Sequence, residues 1–334
     1  MSGGIAVAGN LIMDVIKRVP SYPKRQELTE ILRREYALGG LVCNVARDLA
    51  RLDGNLRVVA VGLVGEDSEG ELIRAELSSY PNIDISHVGC AGQTSFTDVL
   101  TEEDGRVRTF LTFGGANAEF DVEHVPLEAL DCGMLHVGYA LLLPKLDAPD
   151  EIYGTRLARL LAEAKKLGIS TSIDVVSDAR ERYASLVPPA LLYTDYCIIN
   201  EIEAGKTTGI ALRREDGSLD VELVPVVLER LFEMGVSEWA VIHAPEGGFG
   251  MDRAGNLFAE PSLALPDGFI EGTVGAGDAF CAGVLYAAFL GEPLSRALAL
   301  GAAVAAMSLG CAGASEGVGT AEAAWAMYAA HKVG

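Results

Sequence analysis

Apolar residues along the chain follow two spacings. Short, compact apolar runs occur at residues 56–65 (LRVVAVGLVG), 132–141 (CGMLHVGYAL), 168–176 (GISTSIDVV), 195–200 (DYCIIN) and 238–245 (EWAVIHAP), with an earlier one at 5–8. Such runs predict strands buried on both faces. Between them the spacing becomes helical. Residues 154–168 place apolar side chains at 157, 160, 161, 164 and 167, with Gly168 set to end the helix, and 223–235 repeats the pattern. Strands alternating with helices predict an α/β fold, a mostly parallel sheet with helices on both faces.

Two segments depart from this alternation. Residues 94–115 read as two β runs joined by a turn at Asp104-Gly105, a hairpin. Residues 15–38, with Pro20 and Pro23, lack helical periodicity. Both are expected to project as a small β lid. The expected organisation is one core (1–14, 39–93 and 118–334) carrying an inserted lid (15–38 and 94–117). Residues 297–315 (ALALGAAVAAMSLGCAGAS) carry no charge but are mostly Ala and Gly. They read as a buried helix, not a membrane span.

Composition narrows the partners. The chain has 334 residues, 26 basic against 47 acidic, a formal net charge of -21. That charge repels nucleic acid and anionic membranes, so neither is an expected partner. A phosphate ligand would have to be held locally, by backbone amides, a metal ion or a few chosen cations. Six cysteines, at 43, 90, 132, 197, 281 and 311, form no Cys-x-x-Cys pair. Their scatter, and an N-terminal apolar run without a basic flank, point to reduced thiols and a cytoplasmic location.

Three glycine-rich patterns compete for the chemistry. NEIEAGKTTG contains Gly205-Lys206-Thr207, but Asn200 stands where a triphosphate-binding loop needs its first glycine. GAGDAF has Phe280 in place of the third glycine of a dinucleotide fingerprint and lies late in the chain. The third reading takes Gly275, Ala276 and Gly277 as an anion hole. Glycines let successive N–H groups converge, and the following helix adds its positive end. Asp278 would then be placed to take a proton from an acceptor hydroxyl. Taken alone, Asp278 reads equally well as a helix cap.

EGTVGAGDAFCAG resembles the C-terminal signature of the PfkB/ribokinase family of sugar and nucleoside kinases, D-T-x-G-A-G-D. LGGLVCNVARDLARLDGNLRVVAVGLVGEDSEGE (38–71) resembles its N-terminal signature, NEIE its N-x-x-E motif at Asn200 and Glu203, and GNLIMD its opening G-x-x-x-x-D, ending at Asp14. The four matches lie in family order across nearly the whole chain. The resemblance implies a Rossmann-like α/β/α core with a β lid, and ATP- and Mg2+-dependent phosphorylation of a hydroxyl on a sugar or sugar acid. A nucleoside acceptor, or a non-catalytic sugar- or nucleotide-binding protein on the same fold, is the alternative. It implies Asp278 as catalytic base and the amides of Gly275, Ala276 and Gly277 as the anion hole. Asp14, Gly39, Gly40 and Asn44 would bind the substrate. Asn200, Glu203, Thr273 and Gly247 would lie on the nucleotide side, Glu203 meeting Mg2+ through water. By themselves Asp14 would read as a turn residue and Asn44 as a cap. Lids of this family often pair, so a homodimer through the lid is a candidate assembly.

Some residues depart from the family pattern. Gly272 replaces the carboxylate that helps hold an activating monovalent cation, which puts that dependence in doubt. Ile242 and Ala244 replace polar and glycine positions in VIHAPEGG, and Val176 stands where many members have Asn. The ATP contacts are therefore expected to differ in detail. His243 reads as a core histidine more readily than as a nucleotide contact. Arg106 and Arg108 share one face of the lid hairpin. Arg108 is the candidate for an acidic or phosphorylated substrate group, with an exposed lid charge as the plainer reading. GGAN, ending at Asn117, is a further candidate to close over the sugar.

Overall fold

A computed structural model of the chain describes residues 3–102, 108–176, 180 and 182–333. The first part runs β1 (Gly4–Ala8), β2 (Ile12–Val19), β3 (Arg33–Gly39), α1 (Leu41–Leu52), β4 (Val58–Val64), α2 (Ser68–Ser78) and β5 (Ile83–Cys90). Then come β6 (Phe96–Glu102), β7 (Arg108–Phe113), β8 (Cys132–Ala140), the short β9 (Pro149–Asp150) and β10 (Gly154–Thr155), and α3 (Arg156–Lys166). They are followed by β11 (Ser170–Val175), α4 (Tyr183–Leu191), β12 (Tyr196–Asn200), α5 (Glu201–Thr208), α6 (Val224–Glu233) and β13 (Trp239–Ala244). The chain closes with β14 (Gly247–Asp252), β15 (Leu257–Pro261), α7 (Ala276–Leu290), α8 (Leu294–Leu309) and α9 (Ala321–His331).

The main sheet, among the described residues, has nine strands in the order β15-β14-β13-β12-β11-β8-β1-β4-β5. From β13 to β5 every pairing is parallel; β14 and β15 add an antiparallel edge. All five residues of β1 and all seven of β4 are buried, as a strand covered on both faces requires. Helix α3 buries Leu157, Leu160, Leu161 and Ala164 on one stripe, starts on a cap in which Thr155 Oγ accepts from the Ala158 amide at 3.1 Å, and is followed by Gly168 in the left-handed region at φ 77°. Two apolar layers flank the sheet. One is built on α1, α7 and α8, the other on α3 to α6.

The Ala/Gly-rich run at 297–315 forms most of α8. A Cβ on Gly283 of α7 would come within 2.9 Å of the Gly301 Cα on α8, so the two helices approach almost backbone to backbone. Small residues serve that close packing, and among the described residues no helix is long and apolar enough to cross a membrane.

A second sheet of four strands, β3-β2-β6-β7, comes from both segments that broke the alternation. Residues 15–38, for which the sequence pattern specified no elements, supply most of an antiparallel β2–β3 pair. Strand β2 begins at Ile12, so Asp14 belongs to this sheet, inside a strand and not in a turn. The turn at Asp104-Gly105 and Arg106 lie outside the described residues. Arg108 opens β7, and its side chain is likewise outside them. Tyr36, Phe110, Leu111 and Phe113 of this sheet are exposed.

Candidate active site

The site forms where β1, β8, β11 and β12 end and the small sheet begins, at the carboxyl edge where parallel sheets of this kind hold ligands. Its floor is the start of α7. Gly275 is the N-cap at φ 78°, ψ -2°, and a Cβ there would sit 2.5 Å from the Ala314 carbonyl oxygen. Only glycine meets both demands. Asp278 is the third residue of the helix and caps nothing. The amide of Ala276 meets Thr273 O at 3.5 Å, the outer limit of a hydrogen bond. Among the described residues, the amides of Gly275, Gly277 and Asp278 meet no protein acceptor. A helix start with free N–H groups is a ready anion site.

The Asp278 side chain, 6% exposed, turns inward. Asn44 Nδ2 donates to its Oδ2 at 2.7 Å, and the Tyr139 hydroxyl lies 3.0 Å from Oδ2 and 3.2 Å from Oδ1. Burial pushes the carboxyl up from the ordinary 3.8 to about 6, against the pull of these two donors. Asn44 is therefore no cap. It lies inside α1, just after Gly40, whose φ of 83° brings the chain against the Asn10 carbonyl. The Oδ1 atoms of Asn44 and Asn10 are buried and have no partner among the described residues. Both are unused acceptors for hydroxyl protons. Asp14 lies over Gly39, where a Cβ would come within 2.3 Å of its Oδ2, and burial raises its carboxyl to about 6. Asn117 does not close over this space. Its amide donates to Leu11 O at 3.1 Å and accepts from Leu11 N at 3.2 Å, bracing the β1–β2 link.

Two cavities meet at the head of α7. The smaller, about 230 Å³, is lined by Tyr139, Asp174, Val176, Glu203 and Asp278, with no Lys or Arg among the described residues of its wall. The larger, about 530 Å³, runs between β13, β14, α7 and α8 past Leu263, Ile270, Phe280 and Leu309, and also meets Thr273 and Gly247. Asn200, His243 and Gly277 belong to both. His243 is thus a cavity residue and not a core histidine. Burial holds it neutral, at about 4, and its ring stacks obliquely on Phe280 at 5.3 Å between centroids.

Asn200 and Glu203 form a capping box on α5. Asn200 Oδ1 accepts from the Ile202 and Glu203 amides at 3.0 and 2.8 Å, and Glu203 Oε2 from the Asn200 amide at 3.1 Å. The pair sits at the cavity junction, but part of its polarity is spent locally. Lys206 and Thr207 are ordinary α5 residues, as their spacing indicated. Asp174 is raised well above the usual carboxylate range, by burial first and then by the charges of Glu203 and Asp278. Among the described residues no three His, Cys, Asp or Glu side chains are placed to hold one metal ion directly. At Gly272 a Cβ would stand 2.9 Å from the carbonyl oxygens of Cys311 and Ala312, so that corner has neither the family's carboxylate nor space for one in this conformation. Sequence reasoning missed Tyr139 and Asn10. Both stand at the ends of buried runs, a weak signal.

The comparisons with known proteins agree with this fold. An ATP-dependent ribose-1-phosphate kinase of Halopiger xanaduensis is 28% identical over 315 residues, 92% of each chain. The solved Arabidopsis thaliana ribokinase, complexed with ribose and ATP, superposes with a TM-score of 0.81 at 19% identity, covering 98% of this chain and 99% of that one. The nucleoside kinase of Methanocaldococcus jannaschii superposes at 0.74 with 18% identity over 99% of each chain. The family model described as pfkB family carbohydrate kinase matches residues 3–321, and the chain belongs to that family of phosphotransferases.

Proposed function

We propose that the chain transfers the γ-phosphoryl group of ATP to a hydroxyl of a sugar or sugar acid, with Asp278 as general base. One observation carries the reading. The head of α7 brings a buried carboxylate, raised to about 6, beside the Gly275 and Gly277 amides, which have no acceptor among the described residues. A base that titrates just below neutrality is ionised at pH 7 yet still takes up a proton readily. The Gly275 and Gly277 amides, with that of Ala276, would hold the charge that grows on the phosphoryl oxygens. Asp278 takes the hydroxyl proton as the new O–P bond forms and the bond to ADP breaks. Asp14, Asn44 and the Gly39-Gly40 turn would orient the acceptor's hydroxyls. The small sheet, with residues 15–38 and 94–117, would act as the lid, and its exposed apolar side chains suit a homodimer. Sedimentation as a monomer would remove that assembly.

The wall chemistry fits a nucleotide and a divalent cation. The larger cavity has an apolar wall and opens at the donor-only amides. Asp174, Glu203 and Asp278 bring three carboxyl groups to a cavity that has no cationic side chain among the described residues of its wall. Glu203, through water, would hold Mg2+, which when bound supplies charge neutralisation to the phosphates. With Gly272 in place of the carboxylate, no monovalent cation is needed in this reading. The relative's ribose 1-phosphate and the neighbour's ribose both support a sugar acceptor.

Asp278→Asn tests the reading. Turnover should fall by about a thousandfold or more while nucleotide and acceptor still bind by calorimetry. A variant that keeps a tenth of the wild-type turnover would show that Asp278 is not the base.

A further inference from the structure

Strand β8 ends irregularly. Val137 pairs with Ile173 and Ala140 with Val175, so Gly138 and Tyr139 together oppose the single residue Asp174. This is a β-bulge, the device by which a strand re-aims one side chain. Tyr139 takes φ 54°, in the left-handed region that a bulky residue rarely enters. Gly138 sits beside it, where a Cβ would push against the Leu41 side chain. The distortion has one visible product: the phenol points at the Asp278 carboxylate.

We propose that Tyr139 is a positioning residue for phosphoryl transfer, its hydroxyl anchoring Asp278 so that Oδ1 is the oxygen left to take the acceptor's proton. The inference rests on Asp278 being the base. A phenol has one proton, and the nearer oxygen is Oδ2 at 3.0 Å. Oδ2 also accepts from Asn44 Nδ2 at 2.7 Å. It therefore carries two donors, while among the described residues Oδ1 has only the longer 3.2 Å approach of the same hydroxyl. Burial and the charge of Asp278 hold the phenol well above its usual range, so it stays protonated and donates.

The other groups around Asp278 do not duplicate this role. Helix α1 brings Asn44 and, one turn on, the buried Asp48, which burial raises well above the usual carboxylate range. Strand β11 brings Asp174, α5 brings Glu203, and α7 itself brings Cys281, a thiol pushed well up by burial. From β13 comes a neutral His243. Burial opposes ionisation of Asp278, and its charge in turn pushes Asp48 and Asp174 up. The two neutral donors, Asn44 and Tyr139, favour that ionisation.

Tyr139→Phe keeps the ring and the bulge and removes one donor. The acidic limb of the kcat–pH profile should move up by about one pH unit. The rate should recover to within a few-fold of wild type at high pH, with the KM for ATP unchanged. 3-Fluorotyrosine at 139, a stronger donor of nearly the same shape, should move the limb down, and it supplies the test if the Phe variant does not fold. A limb at the wild-type position in either protein, with any loss of rate independent of pH, overturns the positioning role. The Asp278→Asn measurement separates the two ideas, since an inactive amide variant beside an unshifted Tyr139→Phe limb removes only Tyr139.

Discussion

Asp278→Asn should make the protein more stable at neutral pH while it abolishes turnover. In the unfolded chain the Asp278 carboxyl titrates near 3.8, and in the folded chain burial raises it to about 6. Between those values the folded state binds a proton that the unfolded state does not. Stability contributed by this group is therefore present at low pH and is lost as pH rises toward 6. Above 6 the folded state holds an ion in a site only 6% exposed. The difference of about 2 pH units corresponds to roughly 3 kcal/mol, an upper figure for the gain when the charge is removed. The amide can still accept from Asn44 and Tyr139 through its oxygen while its NH₂ faces the cavity, so no buried donor need be stranded. Asp14 and Asp147, also raised to about 6, titrate alike in both proteins and cancel in the comparison. Urea unfolding of both proteins at pH 7.5 and pH 4 measures the effect. The amide variant should gain about 1–3 kcal/mol at the higher pH and little at the lower. An equal or lower midpoint at pH 7.5, or a gain independent of pH, would refute the claim that burial opposes this charge.

Two further changes test the rest of the site. Gly275→Ala adds a Cβ at φ 78° against the Ala314 carbonyl and should shift the free amides. It should lower kcat by about a hundredfold and cost more than about 1 kcal/mol of stability, and a kcat within twofold of wild type would count against the anion hole. Ala305→Phe puts a ring into the 530 Å³ cavity from α8. The KM for ATP should rise about tenfold or more with the acceptor KM unchanged, and the reverse pattern would reassign the two cavities.

Much of the architecture was readable from local pattern. A strand buried on both faces is mostly apolar, so β1, β4, β8, β12 and β13 stand out, β11 less so with Ser170, Thr171, Ser172 and Asp174, and the stripe of α3 marks one layer. Segment 15–38 was harder, because its strands are partly exposed and Pro20 and Pro23 lie in the long connection between them. Within the site, Asp278, Asn44 and Asp14 were legible only as members of a shared pattern. Each residue alone had a plainer reading, as cap or turn, and the structure excludes it for all three. Asn117 and His243 were misread, since nothing local says whether an amide braces a backbone or whether an imidazole borders a cavity.

The chain's own order of residues determined the strand–helix alternation, the glycine turn ahead of α7 and the acidic balance, because these follow from backbone sterics, periodicity and charge. Tertiary structure alone decided that Asn44, Tyr139 and Asp278, separated by 234 residues from first to last, share one hydrogen-bonded cluster. The carboxyl's rise to about 6 is likewise a property of that meeting. Desolvation and donor geometry depend on what three distant segments bring to the same point, and no local spacing encodes that.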